Sequence, residues 1–135
     1  MACYLLKTEP DAYSYDDLVR DKQTTWDGIS NALALKHLRG VAKGDTLLIY
    51  HTGKEKQAVG LAKAAGAAYP DPKAGDPRRM VVDIRAWKRL PAPVPLAAFR
   101  EDAVLQRTDL VRISRLSVVP LTDAQLARVL KLAGA

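Results

Sequence analysis

The sequence predicts an α+β fold: a mostly antiparallel, curled sheet with short helices around it. Three observations predict it. Thr46-Leu47-Leu48-Ile49-Tyr50 is an apolar, β-rich run, and after a polar break Ala58-Val59-Gly60-Leu61-Ala62 returns as its partner. Met80–Lys88 alternates, with Met80, Val82, Ile84 and Ala86 set against Val81, Asp83, Arg85 and Trp87. The helical stretches are short and begin at capping residues such as Ser14, Asn31 and Thr122.

In chain order, Tyr4–Lys7 reads as a first strand, stopped by Thr8-Glu9-Pro10-Asp11. Ser14 caps a helix that runs to Asp21, with Asp17 three residues on as an imperfect capping-box partner. Gln23–Gly28 reads as a loop carrying Trp26. Ser30-Asn31 caps Ala32–Arg39, and Gly40 sits where a left-handed terminating glycine is expected. Lys43-Gly44-Asp45 turns into the central hairpin, whose second strand is read as running on through the alanine-rich stretch to Ala68. The glycine inside that strand, Gly60, signals a close approach of backbone or ligand. Tyr69–Pro77 is a loop, and Pro91–Pro95 an extended connector between Met80–Lys88 and a short helix at Leu96–Asp102. Arg112–Pro120 contains a last strand, which puts Arg115 and Ser117 on one face. Ala124–Leu132 is a final helix, with Leu126, Val129 and Leu130 facing the core.

With 135 residues the chain suits one domain. No apolar run approaches the ~20 residues of a membrane span, and no leader pattern opens the chain, so the expected setting is the cytoplasm, without membrane contact. One cysteine excludes an internal disulfide and argues against a cysteine-based metal site. The net charge of +6 is unevenly spread: residues 1–77 balance ten basic against ten acidic side chains, whereas residues 78–115 hold nine basic against four acidic. Arg78, Arg79, Arg85 and Arg112 belong to that excess. An arginine-rich surface suits phosphate, although a solvated basic face has the same composition.

Catalytic chemistry finds little support. There is no Gly-x-Ser-x-Gly, no glycine-rich phosphate loop, and two histidines, His37 and His51, without metal-ligand spacing. No catalytic residue, metal or cofactor is assigned. His37 lies on a polar helix face and is read as solvated. His51 follows a buried strand, as a structural hydrogen-bonded residue or a pocket donor. Trp26 between polar residues suits stacking on a planar ligand, with core packing as the alternative. Lys7 and Glu9 are either a surface pair or charges aimed into a cleft, where Glu9 could accept from an exocyclic amine. Arg115 is either a structural ion-pair residue or a phosphate clamp. Tyr4 and Tyr50 are expected to pack within the sheet.

Tyr-Leu-Leu-Lys-Thr-Glu-Pro at the start, Thr-Trp-Asp-Gly-Ile-x-Asn, Lys-Gly-Asp-x-x-Leu-Ile-Tyr-His-Thr, Val-Gly-x-Ala, Ala-Tyr-Pro-Asp-Pro and Arg-Leu-Ser-Val-x-Pro-x-Thr occur in that order over nearly the whole chain. Together they resemble the EVE domain family. The resemblance implies a PUA-like curled β-barrel with flanking helices, similar to the YTH domain. It also implies a non-catalytic module that binds nucleic acid by taking a flipped, modified base into a pocket; a monomer is the expected state, though the sequence does not fix it. A modified cytosine in DNA is the first reading. The alternatives are RNA, or a free nucleoside bound or processed in the same pocket. The implied pocket residues are Lys7, Thr8, Glu9, Trp26, Asn31, Tyr50, His51 and Thr52, with Arg115 and Ser117 supporting the floor. Tyr69 and Pro70 would form the rim, and Arg78, Arg79, Arg85 and Arg112 would contact phosphates. Tyr4 stands where the family usually has tryptophan, and Ser30 where arginine is common.

Overall fold

Two of the most apolar runs in the chain lie side by side. β1 (Cys3–Thr8) and β3 (Thr46–His51) pair in parallel, from Cys3 opposite Thr46 to Thr8 opposite His51. The structure, a computed structural model, describes residues 2–135. Leu5, Leu6, Leu47, Leu48 and Ile49 expose no surface. Runs that are apolar at consecutive positions are covered on both faces, the usual condition of parallel strands. β4 (Gln57–Ala64) returns antiparallel beside β3, which is the predicted hairpin.

Around this spine lie β2 (Gln23–Trp26), β5 (Tyr69–Pro70), β6 (Met80–Pro95) and β7 (Val118–Leu121). The strand order is β2-β6-β4-β3-β1-β7, with β5 joined to β6. This is a mixed α+β fold with a seven-stranded sheet. No pairing joins β2 to β7, so the implied barrel is an open one. The helices α1 (Tyr15–Asp21), α2 (Ala32–Arg39), α3 (Leu96–Glu101), α4 (Asp109–Arg112) and α5 (Asp123–Leu132) flank it. Ser14 and Asp17 make a complete capping box on α1, Asn31 caps α2, and Thr122 with Gln125 boxes α5. On α5, Val129 is fully buried, with Leu126 and Leu130 packed against the core.

Several expectations are corrected. Gln23–Trp26 is a strand, because it pairs with β6 from Gln23 opposite Arg85 to Trp26 opposite Val82. β4 ends at Ala64, where the chain bends. Gly40 ends α2 in a right-handed conformation at φ −80°; a Cβ there would come within 3.0 Å of the Tyr4 hydroxyl, so space rather than handedness asks for glycine. Pro91–Pro95 continues β6 rather than leaving the sheet, as Val94 lies opposite Ala58 and Pro95 opposite Gln57. Arg112 to Ser117 is not strand: α4 ends at Arg112 and β7 begins only at Val118, so Arg115 and Ser117 share no strand face. His37 is half-buried, and its Nε2 has no hydrogen-bond partner among the described residues.

Gly60 is approached closely, but by a side chain of the fold. The ring of Tyr15, fully buried at the start of α1, lies directly over its Cα, and the Tyr15 hydroxyl donates to the Leu61 carbonyl at 2.7 Å.

Candidate functional site

The burial of β1 relaxes at its end: Lys7 and Thr8 are half-buried where Leu5 and Leu6 are enclosed. β2 alternates in the same region, with Thr24 and Trp26 turned inward and Gln23 and Thr25 outward. Between them opens a cleft of about 360 Å³, within the ~300–1,000 Å³ of small-ligand sites. Thr8 and Ser117 line it from the β1 side, and Trp26, Asp27, Gly28 and Ile29 from the β2 side, with Tyr13 between.

Trp26 and Tyr13 form an edge-to-face pair, with ring centroids 6.2 Å apart and planes at 82°. The Tyr13 hydroxyl donates to Asp21 at 2.9 Å, and the Thr8 hydroxyl donates to the Tyr13 carbonyl at 2.7 Å. The aromatic pair is therefore braced from both α1 and β1. Trp26 is 7% exposed and sits at a strand end as part of the core, while still lining the cleft. Ser117 comes into place because the Lys7 amide donates to its carbonyl at 3.0 Å.

Lys7 lies between this cleft and a second one of about 250 Å³ lined by Tyr50, Thr52, Arg100 and Leu110. Its ammonium donates to the Ser114 carbonyl at 2.8 Å, and burial lowers its pKa. Burial likewise raises the pKa of the Tyr50 phenol and, against the opposing effect of Arg89, that of Tyr15.

Of the residues proposed from sequence, Lys7, Thr8, Trp26 and Ser117 meet in the first cleft, and Tyr50 and Thr52 adjoin it across Lys7. The others lie elsewhere. Glu9 packs over Gly53 and accepts from the Asp11 amide, so the carboxylate on the aromatic cleft is that of Asp27. The Asn31 side chain accepts from the Ala34 amide as the cap of α2. His51 is buried, with Nε2 accepting from the Tyr15 amide and Nδ1 2.9 Å from Glu55, so the structure gives it the structural environment. Arg115 is exposed in the turn before Ser117. Tyr69 and Pro70 form β5, and the Tyr69 hydroxyl donates to Asp83 at 2.8 Å. Arg78 and Arg79 line a separate recess, while Arg85 and Arg112 are exposed.

Tyr13, Thr24, Thr25, Asp27, Gly28 and Ile29 also line the cleft and were missed. Tyr13 sits one residue before the capping serine, a position that fixes it against the helix start. Thr24 would have followed from reading Gln23–Trp26 as a strand, because alternation places it on the face of Trp26.

The motifs and the fold agree with what known proteins show. A profile of the EVE domain matches residues 2–132. The chain belongs to the EVE domain family. Human thymocyte nuclear protein 1 is 29% identical, over 96% of this chain and 72% of that protein. A Rhodopseudomonas palustris protein solved by NMR superposes with a TM-score of 0.93 at 36% identity, covering 99% of this chain and 94% of the other. The crystal structure of human THYN1 protein in complex with 5-methylcytosine-containing DNA superposes with a TM-score of 0.91 at 27% identity, covering 100% and 99%.

Proposed function

We propose that this EVE domain is a non-catalytic reader of a modified base in nucleic acid, with a modified cytosine in DNA as its first ligand. The observation that carries the reading is the aromatic cleft: the Tyr13–Trp26 pair offers apolar contact to a ring and its substituent, while Thr8, Ser117 and Asp27 offer polar partners to its edge. A similar human protein is described in complex with 5-methylcytosine-containing DNA, which supports this choice. A base inside a duplex is stacked on both faces, so it enters such a cleft only when extruded. The Asp27 carboxylate accepts from an exocyclic amine, and the exposed Arg85 and Arg112 meet the backbone. The cleft in this reading binds and does no chemistry.

The test is binding of short oligonucleotides identical except for one base: cytosine, 5-methylcytosine, 5-hydroxymethylcytosine, adenine or N6-methyladenine. Burying one methyl group is worth about 0.8 kcal/mol, so a methyl reader prefers its base roughly fourfold or more. Trp26→Phe, which keeps an aromatic ring at the core edge, is expected to erase that preference, and Asp27→Asn to weaken cytosine and 5-methylcytosine alike. Equal binding of all five by folded protein would sink the proposal. Free nucleosides held as tightly as oligonucleotides, with little salt dependence, would point instead to a nucleoside binder, and a preference for the RNA versions to an RNA module.

A further inference from the structure

We propose that the recess beside the aromatic cleft is a phosphate subsite, taking the phosphate next to the bound base. The proposal rests on the base-reading function and adds to it a second anchoring point. The recess measures about 230 Å³ and is lined by Ser30, Ala32 and Leu35 together with Arg39, Arg78, Arg79 and Asp76. Three guanidinium groups face a single carboxylate.

The arginines are held in place, yet two of them keep most of their donors. Arg78 is engaged bidentately by Asp76, with Nε 3.2 Å and Nη2 3.1 Å from its oxygens. Arg39 donates through Nη2 to the Arg78 carbonyl at 3.1 Å, and Arg79 through Nη1 to the Ile29 carbonyl at 3.5 Å. A guanidinium carries five N–H donors in a planar fork, so Arg39 and Arg79 retain the geometry that phosphate oxygens accept from in pairs. Ser30 also lines the recess and brings a hydroxyl, a neutral donor, to it.

Position supplies the link to the cleft. Gly28 and Ile29 line the aromatic cleft, and Ser30, the next residue, lines the recess. Arg79 reaches from the recess to the carbonyl of Ile29. The two concavities share one short stretch of backbone, which suits a ligand whose flat apolar part and anionic part are joined by a sugar.

The test measures the salt dependence of binding for a single-stranded oligonucleotide with one 5-methylcytosine and for its unmodified twin. The proteins are the parent, R39Q/R79Q and R107Q/K131Q. Both double variants remove two positive charges, and the second does so away from the recess. Each phosphate contact on a single strand contributes about 0.7 to the slope of log K against log salt. R39Q/R79Q is expected to flatten the slope by about that amount and to lower affinity for both strands, leaving their ratio intact, while R107Q/K131Q keeps the parent slope. Melting curves confirm that each variant is folded. A folded R39Q/R79Q protein with the parent slope would overturn the subsite even if the preference for the modified base holds. A flattened slope with no preference between the strands would keep the subsite and remove the base-reading function. Failure of the parent to bind either strand would overturn both. Titration with 5-methyl-2′-deoxycytidine and its 5′-monophosphate identifies the source: an advantage of the monophosphate that R39Q/R79Q abolishes marks a terminal phosphate, and a slope change without that advantage marks an internal phosphodiester.

Discussion

Gly60 has no room for a side chain. A Cβ built there falls among the ring atoms of Tyr15, which is itself fully buried and tied by its hydroxyl to Leu61. Gly60→Ala must therefore displace a core aromatic, and overpacking of this kind costs about 1–3 kcal/mol. The expected readout is a lower denaturation midpoint with an unchanged slope against denaturant. Wild-type stability in that variant would mean that the Tyr15 ring moves aside freely. The sequence did mark Gly60 as a point of close approach, but a lone glycine does not tell a ligand from the protein's own tyrosine. The same limit applied to His51: it was read as following the buried strand but is the last residue of β3, and its partners, the Tyr15 amide and Glu55, lie on a helix start and a loop that only the fold brings to it.

At the scale of elements, α5 is secured by one ion pair in addition to its apolar face. Arg128 donates from Nε to Asp102 at 2.5 Å, and Asp102 also accepts from the Val104 and Leu105 amides. Arg128 chiefly, with those amides, holds the Asp102 carboxyl below the usual carboxylate range, against the opposing effect of burial. A depressed carboxyl pKa stabilises the fold at every pH above the unfolded value of about 3.9, and the gain is lost as pH falls through the lower folded value. Asp102→Asn is expected to lower the denaturation midpoint at neutral pH and to flatten the decline below about pH 4. Equal acid sensitivity in both proteins would show that the pair is not coupled to folding. Helix caps and the hairpin were readable because each rests on local chemistry. β2 was not, because four mostly polar residues become a strand only through their pairing with β6. Pro91, Pro93 and Pro95 misled for a related reason. Successive strand amides point to opposite sides, so prolines at every second position remove donors from one side only. Ala92 and Leu96 still donate on the other, to Ala133 at 3.1 Å and Lys56 at 2.8 Å.

Over the whole molecule, most of the basic charge and the aromatic cleft belong to different parts. The basic excess is spread along residues 78–115, whereas the cleft is lined by aromatic and short polar side chains together with Lys7. Phosphate contacts respond to salt and base contacts carry the choice of ligand. Raising the salt is therefore expected to weaken methylated and unmethylated oligonucleotides in parallel and leave their ratio constant. A ratio that collapses with salt would place the discrimination in the charged surface. From the sequence, Lys7, Thr8 and Trp26 were legible as neighbours lining one cleft because they lie within recognisable motifs. Arg115 was misplaced because its position depended on a strand that begins only at Val118.

The strand that carries the cleft is the last in its row, hydrogen-bonded on one side alone. Asp27, Gly28 and Thr25 are exposed there, far from the enclosed leucines of β1 and β3. Gly28 is held to glycine by φ +76° and Thr25 donates to Asp83 at 2.8 Å, but the exposed Asp27 can be exchanged with little effect on folding. If the cleft reads a base, Asp27 at the margin of the sheet is where a lineage can revise what it recognises without rewriting its core.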